Sequence, residues 1–148
     1  VPYGRIIDTD ENCPTLTFNS IARHQSKLVR IRIASNKSPW LAATNVGDVY
    51  TVPISHGEGR FLASDEVVRT LAANGQIATQ YVDLDGNATD DIRYNPNNSA
   101  YAIEGITSPD GRVFGKMGHS ERIGDGLYKN VPGEYDIRMF EAAVKYFK

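Results

Sequence analysis

The sequence predicts a mixed α/β layer domain in which much of the sheet is paired antiparallel. Three observations carry this reading. Short β-prone runs fill the middle of the chain and flank the turn signals Asp85-Gly86 and Ser108-Pro109-Asp110-Gly111. Two amphipathic segments, opening at Ser64 and at Asp136, repeat apolar residues at helical spacing. The length of 148 residues suits one domain, which at this size buries roughly 70% of its unfolded surface without disulfides or a structural metal.

The first fourteen residues mix Gly4, Pro2, Pro14 and the acids Asp8, Asp10 and Glu11 without a period and read as an irregular lead-in. Residues 15–19 form a short β-prone run. Residues 27–34 alternate Val29, Ile31 and Ile33 with Leu28, Arg30 and Arg32, the pattern of a half-buried strand. Ser38-Pro39-Trp40-Leu41 reads as a helical turn with proline at its first position, and residues 49–54 as a strand in which Pro53 marks an edge or an end. After a glycine-containing loop, Ser64 caps a helix whose apolar face is Val67, Val68 and Leu71 and which stops at Gly75. Residues 76–83 and 89–94 are expected to form one hairpin, and residues 101–107 and 112–117 a second. Asp136 is expected to cap a final helix that lays Ile137, Phe140, Val144 and Phe147 on a sheet. No internal repeat, heptad or low-complexity segment is present.

Sixteen Lys and Arg against eighteen Asp and Glu give a net charge of -2, which argues against a phosphate-neutralising nucleic-acid surface. No apolar run approaches the ~20 residues that span a bilayer, and no basic-then-apolar start resembles a signal peptide, so a soluble, cytoplasmic protein is expected. Cys13 is the single cysteine, which excludes an intramolecular disulfide and a cysteine-based zinc site. The chain begins Val1-Pro2 rather than with Met, as a piece of a longer protein would.

Two segments bear chemistry: Ser55-His56-Gly57-Glu58-Gly59-Arg60 and Gly118-His119-Ser120-Glu121-Arg122. Each sets a histidine and a carboxylate two residues apart just beyond a strand-like run, where residues i and i+2 of an extended chain share a face. A carboxylate beside an imidazole holds one tautomer and favours the imidazolium, as a general base requires. Surface ion pairs and a glycine turn are the plainer reading of the same residues. His24 reads as a surface residue, and Cys13, between acids and Pro14, as an unreactive thiol. Asp83, Asp85 and Asn87 read as a hairpin turn rather than a calcium loop, because glycine falls in the wrong place and no closing Glu follows. The loop Tyr94-Asn95-Pro96-Asn97-Asn98-Ser99 is long enough to line a pocket.

In order along the chain stand Val52-Pro53-Ile54-Ser55-His56-Gly57-Glu58-Gly59-Arg60-Phe61, Asn95-Pro96-Asn97-Asn98-Ser99, Ile103-Glu104-Gly105-Ile106-Thr107-Ser108-Pro109-Asp110-Gly111-Arg112-Val113 and Gly115-Lys116-Met117-Gly118-His119-Ser120-Glu121-Arg122. Together they resemble the formylglycinamide ribonucleotide amidotransferase (phosphoribosylformylglycinamidine synthase) family of purine biosynthesis, in the C-terminal part of its class I glutaminase domain. The resemblance implies a partial flavodoxin-like α/β fold with added antiparallel hairpins. It implies that a cysteine thiolate on a strand-to-helix elbow attacks the glutamine amide and that the ammonia passes to an ATP-dependent synthase domain. His119 matches the triad base and Glu121 the acid that orients it. His56, Gly57, Glu58 and Arg60 match a supporting loop near the glutaminase pocket, with Asn97 and Ser99 as further pocket-lining candidates. The class more commonly has Pro between the triad His and Glu, where this sequence has Ser120.

The nucleophile elbow normally precedes the matched segment, and Cys13 follows no strand-Gly-x-Cys-x-Gly pattern. The chain is therefore expected to be the portion of a glutaminase domain that lacks the nucleophile-bearing N-terminal half, to be inactive alone and to self-associate through an uncovered apolar edge or face. No cofactor is expected within it; ATP and Mg are implied for the synthase domain, and no nucleic-acid or membrane partner is expected. Two further readings remain open. In one, His56, Glu58, His119 and Glu121 converge on a divalent metal. In the other, the same loops of a non-catalytic domain receive a small ligand or a partner.

Overall fold

A computed structural model describes residues 11–148, so the lead-in up to Asp10 lies outside the described residues. Among the described residues, seven strands and two α-helices follow one another as β1 Thr15–Thr17, β2 Gln25–Ile33, β3 Val49–His56, β4 Arg60–Leu62, α1 Asp65–Ala73, β5 Ile77–Tyr81, β6 Ile103–Thr107, β7 Phe114–Lys116 and α2 Met139–Phe147. Five strands make the main sheet in the order β3-β2-β5-β6-β7, while β1 and β4 form a separate ribbon. Every one of these ladders is antiparallel. The α/β class therefore holds, with the antiparallel component prevailing among the described residues.

Local pattern explains most elements. The alternation in β2 buries Val29, Ile31 and Ile33, and β2 pairs along its length with β3. Pro53 sits in β3, which is an edge strand, where a missing amide costs no ladder bond. Ser64 caps α1 by accepting from the Val67 amide, an interaction typically worth about 1 kcal/mol, and the helix buries Val68 and Leu71. Ser38 likewise caps the 3-10 turn Pro39–Leu41 by accepting from the Trp40 amide.

The core has two parts. One gathers Ile31, Ile33, Val52, Ile54, Tyr81 and Ile137, among others. The other holds Phe61, Val68, Leu71 and Ile103, with α1 as its lid. Ile77 and Ala78 join different parts, as neighbours on a strand should, since they point to opposite faces.

Three expectations are corrected. The hairpin around Asp85-Gly86 reduces to the single bridge Val82↔Ala88, and residues 89–94 are not a strand. Asp83 Oδ1 accepts from the amides of both Asp85 and Asn87, and this local turn competes with a continuing ladder. The final helix starts at Met139 with Arg138 at its cap position, and Asp136 instead accepts from the Arg138 amide in a turn before it. Its buried face is Met139, Ala142 and Ala143, whereas Phe140, Val144 and Phe147 are half exposed. The small alanines let the helix sit close, and Phe140 and Phe147 reach only the rim of Trp40, at ring separations of 6.4 and 6.1 Å. Strand β4 was not expected; it forms because β1 offers it a partner, with Leu16 opposite Phe61.

Candidate active site

The antiparallel β6–β7 hairpin carries the chain past Lys116 and Met117 into Gly118 and His119. There the His119 amide donates to the Pro53 carbonyl at 2.8 Å, so this loop docks on the outer edge of β3, whose last residue is His56. The Arg122 amide donates to the His119 carbonyl at 3.2 Å and closes a turn with Ser120 and Glu121 in its middle. Within that turn His119 Nδ1 lies 2.6 Å from Glu121 Oε1. A carboxylate only accepts, so Nδ1 carries the proton and Nε2 is left as the acceptor, the tautomer a general base needs. Partial burial pushes the Glu121 carboxyl up. Its own backbone amide, the bond from His119 and the charges of His119 and Arg122 outweigh that and hold it below the ordinary carboxylate value.

The other His-x-Glu pair does not form. Gly57 and Glu58 lie in a bend beyond the end of β3, so the i, i+2 rule of extended chain no longer applies, and Glu58 is exposed. His56 turns to Asn97 instead, with Nε2 3.3 Å from the amide nitrogen, which also donates to the Tyr81 hydroxyl at 3.1 Å. His56 Nδ1 and Asn97 Oδ1 are buried without a hydrogen-bond partner. Burial pushes the His56 pKa below the ordinary imidazole value, and the charges of His119 and His24 reinforce this while Glu104 opposes it. The bond of the His119 amide to Pro53, in the strand that ends at His56, sets the two loops at one end of β3.

Packing fixes the His56 loop. A Cβ on Gly59 would run into the His56 ring, so glycine is what allows the imidazole to lie over the chain there. The Asn19 side chain ties the bend together, donating to the His56 carbonyl at 2.8 Å and accepting from the Gly59 amide at 3.0 Å. Arg60 Nε donates to the Asn98 carbonyl at 3.2 Å. Ser99 Oγ accepts from the Phe61 amide at 3.1 Å and donates to the Gly59 carbonyl at 3.3 Å. Ser99 and Arg60 thus join the 95–99 loop to the start of β4.

An apolar hollow lies beside this chemistry rather than in it. A cleft of about 250 Å³ between β1, β6 and β7 is lined by Leu16, Phe61, Ile103, Ile106 and Met117, with Lys116 at its border. None of His56, Asn97, His119 or Glu121 lines it. Among the described residues no three His, Cys, Asp or Glu side chains gather as metal ligands, so the reading of two pairs converging on one ion has no cluster behind it. No helix among those residues is long and apolar enough to cross a membrane.

Across residues 1–147 the sequence matches the CobB/CobQ-like glutamine amidotransferase domain. The chain belongs to that family. Among curated relatives, the phosphoribosylformylglycinamidine synthase subunit PurQ of Synechocystis is 40% identical over 105 residues, covering 71% of this chain and 46% of that protein. The subunit PurQ of Chlorobaculum tepidum is 36% identical over 127 residues, covering 86% of this chain and 52% of that protein. Among solved structures, that of PurLQS from Thermotoga maritima superposes with a TM-score of 0.67 at 27% identity, covering 92% of this chain and 54% of that one. The chain spans about half the length of the curated relatives it matches.

In this glutamine amidotransferase domain the sequence reading passed over a buried polar group behind the His119 loop. Glu104, in β6, is 3% exposed and takes the Gly118 amide on Oε1 at 2.5 Å and the Thr79 hydroxyl on Oε2. Lys116 Nζ stands 3.6 Å from Glu104 Oε1. Burial and the nearby Glu104 carboxylate push the Tyr81 hydroxyl pKa well above its ordinary value. The signal was present as an acid inside the otherwise apolar run of β6, because a buried carboxylate demands partners.

Proposed function

We propose that this chain is the C-terminal portion of the glutaminase of phosphoribosylformylglycinamidine synthase. That glutaminase releases ammonia from glutamine for the ATP-dependent amidation of formylglycinamide ribonucleotide. The observation that carries the reading is the 2.6 Å contact of His119 Nδ1 with Glu121 Oε1, on a loop tied to the strand that ends in His56. The family and the names of its relatives support the substrate class.

In this reading a thiolate from a segment outside these 148 residues attacks the side-chain amide carbon of glutamine. His119 accepts the thiol proton at Nε2 and returns it to the departing nitrogen, so that ammonia leaves and a glutamyl thioester remains. Water, deprotonated by the same nitrogen, then releases glutamate and restores the thiol. Glu121 keeps the ring in its tautomer and stabilises the imidazolium between the two transfers. His56, Gly57, Glu58 and Arg60, with Asn97 and Ser99, take a supporting, pocket-lining role in this reading rather than a chemical one.

Cys13 does not take the nucleophile's place. It is followed by Pro14 and then β1, so no helix N-terminus presents amide donors to it. The synthase portion, with ATP and Mg, and the remainder of the glutaminase are its partners in this proposal, and the setting is the cytoplasm. Alone, the chain is inactive and self-associates.

The test is His119→Ala in the full-length protein. Glutamine-driven turnover is lost and ammonia-driven synthesis is kept, because only the nitrogen source is removed. Equal loss of both activities, or unimpaired use of glutamine, would overturn the reading.

A further inference from the structure

We infer that Lys116 is a positioning residue that holds the His119–Glu121 pair in register, with Glu104 as its anchor; the inference rests on the glutaminase reading of that pair. The Lys116 ammonium has three directional donors, and three oxygens surround it. Gly118 O accepts at 3.0 Å and Ser120 Oγ at 2.8 Å, while Glu104 Oε1 stands at 3.6 Å. Two of these partners are the residues on either side of His119. The third is a carboxylate whose side chain is 0% exposed and which itself grips the Gly118 amide. Carbonyl and amide of Gly118 are thus both held, one by the cation and one by the anion of the same ion pair.

This arrangement answers a local weakness. The loop crosses from β7 to the edge of β3 through Gly118, a residue with the widest backbone freedom, and Ser120 does little to stiffen the turn that follows. A Cβ at position 118 would come 2.5 Å from Val52 Cγ2 and 3.0 Å from Glu104 Oε1, so glycine is required for the close approach and its looseness must be offset by other contacts. The Lys116 side chain is 9% exposed, far too buried for an ordinary surface lysine. A cation so placed is costly unless fully partnered, and its partners all lead to the His119 loop.

The Ser120 position supplies a discriminating test. It is the second residue of the turn closed by the Arg122 amide and the His119 carbonyl, where the fixed φ of proline fits. A ring at that position stiffens the turn covalently, so it should replace the hydrogen bonds from Lys116.

The experiment uses the full-length protein with its synthase portion, supplied with either glutamine or ammonium chloride. Lys116→Met is combined with Glu104→Gln so that no unpaired charge is left buried. The expected result is a fall of roughly 10–100-fold in glutamine-driven kcat from misplacement of the base. KM for glutamine changes less than about twofold, because the ground-state contacts survive. The ammonia-driven rate is unchanged. Adding Ser120→Pro to that pair raises glutamine-driven kcat again by roughly fivefold or more through restored rigidity. An unaltered kcat overturns the inference, and so does an equal fall with both nitrogen sources that Ser120→Pro leaves in place. If the paired variant does not fold, Ser120→Ala, which removes one acceptor only, carries the test. A fall of about threefold in kcat at constant KM supports the inference, and no fall overturns it. His119→Ala, run alongside, separates the two levels. If it spares glutamine turnover, the function of the pair and the role of Lys116 fail together; if it abolishes turnover while the Lys116 variants match wild type, only the positioning role fails.

Discussion

The His119 amide donates to the carbonyl of Pro53 at 2.8 Å, and this one main-chain bond fastens the loop after β7 to the free edge of β3. Proline lacks a donor but keeps its carbonyl, so the residue that marks the edge strand also receives the loop. The consequence is that His119 and His56, 63 positions apart in sequence numbering (119 − 56), share one end of the sheet. Nearby, the Glu134 carbonyl takes the Thr51 amide at 2.7 Å and covers more of the same edge.

Glu121→Gln in the full-length protein keeps the shape of the turn but lets an amide nitrogen face His119 Nδ1, which favours the wrong tautomer. Glutamine-driven kcat is expected to fall by about 10²–10⁴-fold with ammonia-driven synthesis intact. Steady-state rates with each nitrogen source check this, and a fall below tenfold would count against Glu121 as the orienting acid.

Gly118→Ala places a methyl where Val52 Cγ2 is 2.5 Å away. Overpacking of this kind costs about 1–3 kcal/mol, and the displaced loop should lower glutamine use as well. Denaturant titration of the chain reads the first effect. An unchanged midpoint would mean that Val52 yields without strain.

His56 has its pKa lowered by burial first and then by the charges of His119 and His24, against the upward pull of a backbone hydrogen bond and, more weakly, of Glu104. Above the ordinary imidazole value both folded and unfolded chains carry a neutral ring and no stability is lost. As the pH falls through about 6.5 the unfolded chain takes up its proton first, so stability declines until the folded ring is protonated too. His56→Gln keeps an acceptor toward Asn97 and removes the titration. Its stability should therefore fall less than wild type between about pH 7 and 5. Parallel curves from thermal melts across that range would refute the assignment.

Incubating the 148-residue chain with a glutamine-like electrophile should leave Cys13 unlabelled and release no ammonia from glutamine, because Pro14 and β1 follow it where an elbow needs helix amides. Intact-mass measurement and an ammonia assay check both. Stoichiometric labelling with turnover would make Cys13, His119 and Glu121 a complete triad.

Phe140, Val144, Tyr146 and Phe147 on α2 are each 50% to 54% exposed, with Trp40 at their margin. The chain alone should self-associate through this face, and Phe140→Glu with Phe147→Lys should suppress it. Light scattering over a wide concentration range decides; a monomer throughout, with wild type and variant alike, would rule the face out.

Local patterns in the sequence determined the elements whose information is short-ranged. The alternation of Val29, Ile31 and Ile33 specifies β2, Ser64 and the apolar stripe after it specify α1, and Ser108-Pro109-Asp110-Gly111 specifies the β6–β7 turn. The order of motifs likewise determined the family, while the spacing of His119 and Glu121 offered a pairing that the turn closed by the Arg122 amide completes. Only the tertiary structure decided between the two His-x-Glu pairs, because the bend after β3 aims His56 at Asn97, a partner 41 residues away. It also decided which face of α2 is buried, since Met139, Ala142 and Ala143 form as good a stripe as the larger residues that stay exposed. The Glu104 and Lys116 group depends on the register that sets Gly105 opposite Lys116. Strand register and the direction a side chain takes beyond a strand end are set by packing between distant segments, so no window of sequence contains them.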